Sequence, residues 1–214
     1  MRPLPACIPM EINGMQNRKR AGFNLIEIML TLAIIGLVGV IAVGPLIEWS
    51  NGLRVEMAAG QVAGAMNMAR LCAIRYGTKV AVKFTTDETT GVVTYALYRD
   101  GDGDGVSNRD IEAGVDPELR APRRLGYLGE RVHFGFPPGP PPRHPGNPSR
   151  RLDRLDDPIR FNRSDLASFS SLGTATPGSV YITDGSRHLA AVRTYNLSGK
   201  IVVLSYDVKT ETWQ

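Results

Sequence analysis

From Phe23 to Ile47 the chain is an almost unbroken apolar run, and its one ionisable side chain is Glu27. About 20 apolar residues suffice to cross a bilayer as a helix, so the run is long enough to span with some tilt. A carboxylate inside it costs a few kcal/mol unless paired, which marks Glu27 as a functional residue. Beyond Ile47 the pattern turns amphipathic. Val55, Ala58, Ala59, Val62, Ala65, Met66, Ala69, Cys72, Ala73 and Tyr76 recur at three- and four-residue spacing, the mark of one helical face. Gly77 follows as a C-cap. The two patterns predict one helix from Phe23 to about Tyr76, with 23–47 in lipid and 48–77 lying on a domain. Pro45, with Gly36, Gly39 and Gly44, predicts a bend near the membrane exit and permits close helix packing.

After Gly77 the period becomes two. Val80, Val82 and Phe84 alternate with Lys79, Ala81 and Lys83, and a turn at Asp87–Gly91 leads to a second strand over 92–99. Further strands are predicted over 131–134, 159–162, 179–183, 189–195 and 200–207, with turns at Asp184-Gly185 and Ser198-Gly199. A helix followed by antiparallel strands is α+β, here a β-rich domain over 78–214. Two long loops are expected within it, 100–130 and 137–158. Seven prolines in 137–148 exclude a sheet interior there.

Charge sharpens the membrane reading. The formal balance is +4, yet residues 1–22 hold four basic side chains and one acid, leaving 21 basic and 20 acidic residues beyond them. The basic excess is therefore topogenic: it holds the N-terminus in the cytoplasm and sends the C-terminal domain across the membrane. An ordinary secretory signal, with an apolar core of about 7–15 residues and a small-x-small cleavage site after it, does not fit the longer run.

The order Arg18-Lys19-Arg20-Ala21-Gly22-Phe23-Asn24-Leu25-Ile26-Glu27 before an apolar helix resembles the class III signal of type IV prepilins and type II secretion pseudopilins. The resemblance implies a cleaved basic leader over 1–22, cut after Gly22 by prepilin peptidase, methylation at Phe23, and assembly into a fibre through the N-terminal helix and Glu27. Met15 would open a compact leader, with residues 1–14 either extra leader or upstream of the true start. After cleavage Cys72 is the remaining cysteine, so no intrachain disulfide is expected. The segments Gly173–Gly185 and Tyr195–Ile201 are similar to the C-terminal module shared by H-type minor pseudopilins and FimT-type minor pilins. What the resemblance implies is a minor pseudopilin of a type II secretion pseudopilus. Such a subunit is a single-pass protein of the bacterial inner membrane with a periplasmic domain, and its partners are other pseudopilins or pilins. The alternative is a FimT-like minor pilin serving DNA uptake or pilus assembly. DNA-binding members carry a Gly-Arg-x-Arg turn where this chain has Gly199-Lys200-Ile201-Val202, so nucleic acid is not an expected partner.

Candidate chemistry is sparse. Asp100, Asp102 and Asp104 with Gly105 match the first half of a calcium loop, but the twelfth position is Ile111, which excludes an EF-hand. Calcium is the candidate cation, in a cage closed by the Val106 carbonyl, Asp110 and Asp116; the other reading is a solvated acidic turn. No cofactor is required. Residues 118–163 carry ten arginines against five acids, and 87–117 carry eight acids against two arginines, so the two segments can pair with each other or with neighbouring subunits. Asp184, Ser186 and His188 sit within one turn, whereas a hydrolytic triad needs members brought together in a set geometry. The chain is read as structural, not as an enzyme.

Overall fold

The computed structural model describes residues 24–125, 131–195 and 198–214. One helix, α1 (Leu25–Tyr76), runs for 52 residues with Pro45 inside it. The chain divides beside that proline into two compact units, residues 1–44 and 45–214. Gly77 ends α1 with φ of +69°, the left-handed cap the sequence predicts.

Within the second unit, α1 buries Val55, Ala58, Ala59, Val62, Ala63, Met66, Ala69 and Ala73. Five alanines on that face let strands approach closely. Three expected members fall short: Ala65 and Cys72 are half-buried, and Tyr76 is exposed, its ring facing the guanidinium groups of Arg75 and Arg99 at 6.0 and 5.7 Å.

The strands that follow are β1 (Val80–Thr86), β2 (Val93–Arg99), β3 (Glu118–Arg124), β4 (His133–Phe134), β5 (Arg143–His144) and β6 (Asn147–Arg151). After them come β7 (Ile159–Arg160), β8 (Leu166–Phe169), β9 (Gly178–Thr183), β10 (Leu189–Thr194), β11 (Ile201–Asp207) and β12 (Thr212–Trp213). They form a sheet of order β3-β2-β1-β8 and a second of order β12-β11-β10-β9-β4, with β7 also on β9. Every pairing is antiparallel, as expected of an α+β fold.

One core joins α1 to both sheets, through Val80, Val82 and Phe84 of β1, Val180 and Ile182 of β9, and Ala190 and Val192 of β10. Phe84 lies parallel to Phe161 at 6.1 Å and edge-on to Phe134 at 5.8 Å. The alternate residues of β9 and β10 are buried too. Tyr181, Leu189 and Ala191 pack with Leu152 on the opposite face of the second sheet, against Phe136, Leu155, Tyr206 and Trp213. That second face is covered by the proline-rich segment.

Both expected loops are therefore more ordered than the sequence suggests. Segment 100–130 contains α2 (Asn108–Glu112), capped by Ser107, and the edge strand β3. Pro122 fits that strand because an edge leaves one row of N–H groups unpaired anyway. Segment 137–158 holds the β5–β6 hairpin, tied down from the far end of the chain. Trp213 Nε1 donates to the Arg143 carbonyl at 2.7 Å, and Arg143 and Arg151 both grip Glu211, at 2.9 and 2.7 Å. Its prolines keep it out of a sheet interior; they do not keep it from being a strap.

Candidate functional site

Gly22 and Phe23 lie outside the described residues. The carbonyl of Asn24, just before α1, accepts from the N–H groups of Glu27 at 2.9 Å and Ile28 at 3.2 Å. Glu27 thus stands in the first turn of α1, where a carboxylate is favoured by the helix dipole. Between Leu25 and Ile47 fifteen large apolar side chains are 49–78% exposed, and none of the most apolar window is buried. Withdrawing them from water at about 1.5–2 kcal/mol each is worth roughly 20–30 kcal/mol. A single Glu27 opposes that with only a few kcal/mol. By length and composition α1 can cross a membrane, and the energetics favour insertion with the carboxylate included.

The acidic loop leaves β2 at Asp100. Asp100 is buried, its N–H donating to the Lys79 carbonyl at 3.0 Å and its Oδ1 accepting from Gly103 N–H at 2.7 Å. A Cβ at Gly101 would fall 1.9 Å from the Val115 carbonyl, so the chain can pass there only as glycine. Asp100, Asp102 and Asp104 each bring a carboxylate oxygen within 4.8 Å of the others. Repulsion from Asp102 is the main cause that raises the Asp104 pKa above the ordinary carboxylate value. Three carboxylates this close fit a hard cation, which takes six to eight oxygens, so carbonyls or water must complete any calcium shell.

Asp110 and Asp116 do not join that group of three. Asp116 accepts from the N–H groups of Gly101 and Ser107, both at 3.0 Å, one through each oxygen. Asp110 accepts from the Ser107 hydroxyl at 2.5 Å. Both are buried; Asp116 holds the loop's backbone, and Asp110 holds the Ser107 side chain that caps α2. The sequence placed five aspartates in one pool, whereas the structure sorts them into three facing one another, Asp116 accepting from backbone N–H groups and Asp110 from the Ser107 hydroxyl.

The β9–β10 turn has a similar internal order. Asp184 Oδ2 accepts from the Ser186 hydroxyl at 2.6 Å and from His188 Nδ1 at 2.7 Å, while Oδ1 accepts from the N–H groups of Ser186 and His188. Serine and histidine both donate to the aspartate, and the serine proton does not go to the histidine; this is no nucleophilic relay. Burial pushes the Asp184 pKa up, but these hydrogen bonds more than offset it and hold the carboxyl at about 2. The turn meets α1: a Cβ at Gly52 would lie 3.0 Å from His188 Cδ2, and Arg187 pairs with Glu48.

The two segments of opposite charge are not joined by ion pairs among the described residues. Arg143 and Arg151 pair with Glu211, and Arg160 pairs with Asp153. Arg120, Arg123 and Arg124 stand exposed on the edge strand β3, with no carboxylate within ion-pair distance among the described residues. Sequence reasoning missed Arg70, whose Nη2 donates to the Ser198 carbonyl at 3.2 Å and so ties α1 to the turn before β11. Its position on the helix gave no sign of a partner 128 residues away.

No family model matches the chain, and no curated protein matches it. Among solved structures, it is similar to the minor pseudopilin EpsH from the type 2 secretion system of Vibrio cholerae. The identity is 12% and the TM-score 0.42, over 71% of this chain and 97% of that one. A likeness of that size carries no conclusion about what this chain does.

Proposed function

We propose that the chain is a minor pseudopilin, a non-enzymatic subunit that enters a type II secretion pseudopilus through its N-terminal helix. The observation that carries the reading is the division of labour along α1. Residues 25–47 offer an apolar surface to lipid or to other helices, interrupted by Glu27, while 55–73 form the spine of an α+β domain. In the precursor the first part anchors the chain in the inner membrane. Prepilin peptidase cuts after Gly22, and Glu27 pairs with the methylated ammonium of Phe23, its own or that of an adjacent subunit. Calcium bound by Asp100, Asp102 and Asp104 orders the acidic loop on the periplasmic domain.

The second reading is a FimT-like minor pilin that captures DNA. It is favoured by Arg120, Arg123 and Arg124, exposed on the edge strand and in no ion pair among the described residues. The two readings are tested by following Glu27→Ala and wild type into the fibre fraction of cells that assemble a pseudopilus. Wild type is expected in the fibre, and Glu27→Ala is expected to be processed but left in the membrane. Wild type absent from pseudopili, together with salt-sensitive binding of duplex DNA at about 150 mM salt, would put the second reading first.

A further inference from the structure

An open cavity of about 210 Å³ lies on the outer face of the second sheet, lined by His144 of the strap and by Arg160, Ser179, Tyr181 and Arg193. Arg193 is part of its wall. It lies on β10 between Ser179 of β9 and Val202 of β11. Its guanidinium is 5.1 Å from the centre of the Tyr195 ring. On another side it lies against the β5–β6 turn: a Cβ at Gly146 would fall 2.2 Å from Nη1, so a larger residue there would displace the guanidinium. The guanidinium thus lies between the turn and the Tyr195 ring, yet its Nη1 is buried without a hydrogen-bond partner, and no carboxylate pairs with it among the described residues. A partly buried cation with an unspent donor is costly unless an acceptor arrives.

Its neighbours supply donors and little to accept from. The Gly146 N–H donates to His144 Nδ1 at 3.0 Å, so a neutral His144 carries its proton on Nε2 as a second donor. Burial chiefly, then the charges of Arg193, Arg150 and Arg160, lowers the His144 pKa and keeps the ring neutral, with Asp153 acting in the opposite sense. Arg160 is already occupied, by the carbonyls of Asp153, Arg154 and Asp157 and the Asp153 carboxylate, and its guanidinium lies 5.5 Å from the Phe136 and Tyr181 rings.

We infer that this cavity is a carboxylate-binding site in which Arg193 is the principal ligand and His144 the second donor. A planar monoanion matches the guanidinium fork. A phosphate dianion fits less well, because Asp153 already places a negative charge beside the cavity. The carboxylate is either a free organic acid or an Asp or Glu side chain of a neighbouring protein. The inference stands apart from the fibre reading, since it uses only residues of the strap and second sheet.

The test is thermal melting of the full-length chain in nonionic detergent at pH 7, with sodium acetate against sodium chloride at matched ionic strength. Acetate at ten times its dissociation constant should raise the midpoint by about 4 °C, and saturably. Arg193→Met should lose that response and, freed of an unpaired cation, melt above wild type in chloride. Arg193→Lys keeps the charge without the fork and should weaken acetate about tenfold; it carries the test if the Met variant does not fold. N-acetylglutamate amide that stabilises at lower concentration than acetate points to a protein side chain, and equal potency to a free acid. Equal midpoints in acetate and chloride, an acetate response that survives in Arg193→Met, or a larger shift with inorganic phosphate than with acetate would each overturn the assignment.

Discussion

Asp184 organises the β9–β10 turn, and its removal should be among the most damaging single changes outside the apolar core. The side chain is 2% exposed and accepts four hydrogen bonds, two from backbone N–H groups. Holding its carboxyl at about 2 rather than the unperturbed 3.8 is worth about 2 kcal/mol. Asp184→Ala forfeits that and leaves two N–H groups of a buried turn without an acceptor, adding about 1–3 kcal/mol. The expected loss is about 3–5 kcal/mol at pH 7. Asp184→Asn keeps one acceptor oxygen and should lose about 2 kcal/mol. The sign with pH follows from a depressed carboxylate: the contribution is complete above about pH 4 and disappears as pH falls through about 2. Urea unfolding of the full chain in detergent, followed by circular dichroism from pH 7 to pH 2, measures both. Wild type and Asp184→Asn should converge at the acid end. Equal stability at pH 7, or an unchanged acid limb in Asp184→Asn, would refute the reasoning.

Three further outcomes follow from the packing. Glu211→Ala frees Arg143 and Arg151 from their shared acceptor, so proteolysis within 137–155 should speed up while β1 and β2 stay protected. An unchanged cleavage pattern would mean that Trp213 and Tyr206 hold the strap unaided. Millimolar calcium should raise the melting midpoint relative to chelator, and Asp102→Ala should erase the difference while Asp116→Ala lowers stability with or without the ion; coincident wild-type curves would leave the loop a solvated acidic turn. Phe161→Ala removes a ring that is fully buried against Phe84 and should cost about 3–5 kcal/mol in urea unfolding, a loss below about 1 kcal/mol being contrary to the packing.

The elements legible in the sequence are those whose pattern is local. The α1 face repeats every three or four residues, and β1, β2, β9 and β10 carry apolar runs bounded by turn residues, so their positions could be read directly. What escaped depends on distant partners. β3 is exposed on nearly every residue and shows no apolar alternation, because it is an edge strand. β8, Leu-Ala-Ser-Phe, is only four residues long and is a strand because β1 pairs with it. The strap looked like a proline-rich loop because its anchors, Tyr206, Glu211 and Trp213, lie 60–70 residues further on. The same holds for the acidic loop: composition revealed five nearby aspartates, but only the backbone path through Gly101 decides that Asp110 and Asp116 serve as acceptors within it.

The central claim, that this chain is a processed fibre subunit anchored by α1, is met most directly at its N-terminus. Mass spectrometry of the chain isolated from the envelope of cells that contain prepilin peptidase should find a first residue of Phe23 carrying one added methyl group. On the proposed reading Gly22 is needed because a residue without a side chain lets the backbone lie close to the catalytic site, so a bulky replacement should leave the precursor intact. A peptide that reads through Gly22-Phe23, or a cut at any other bond, would contradict the account.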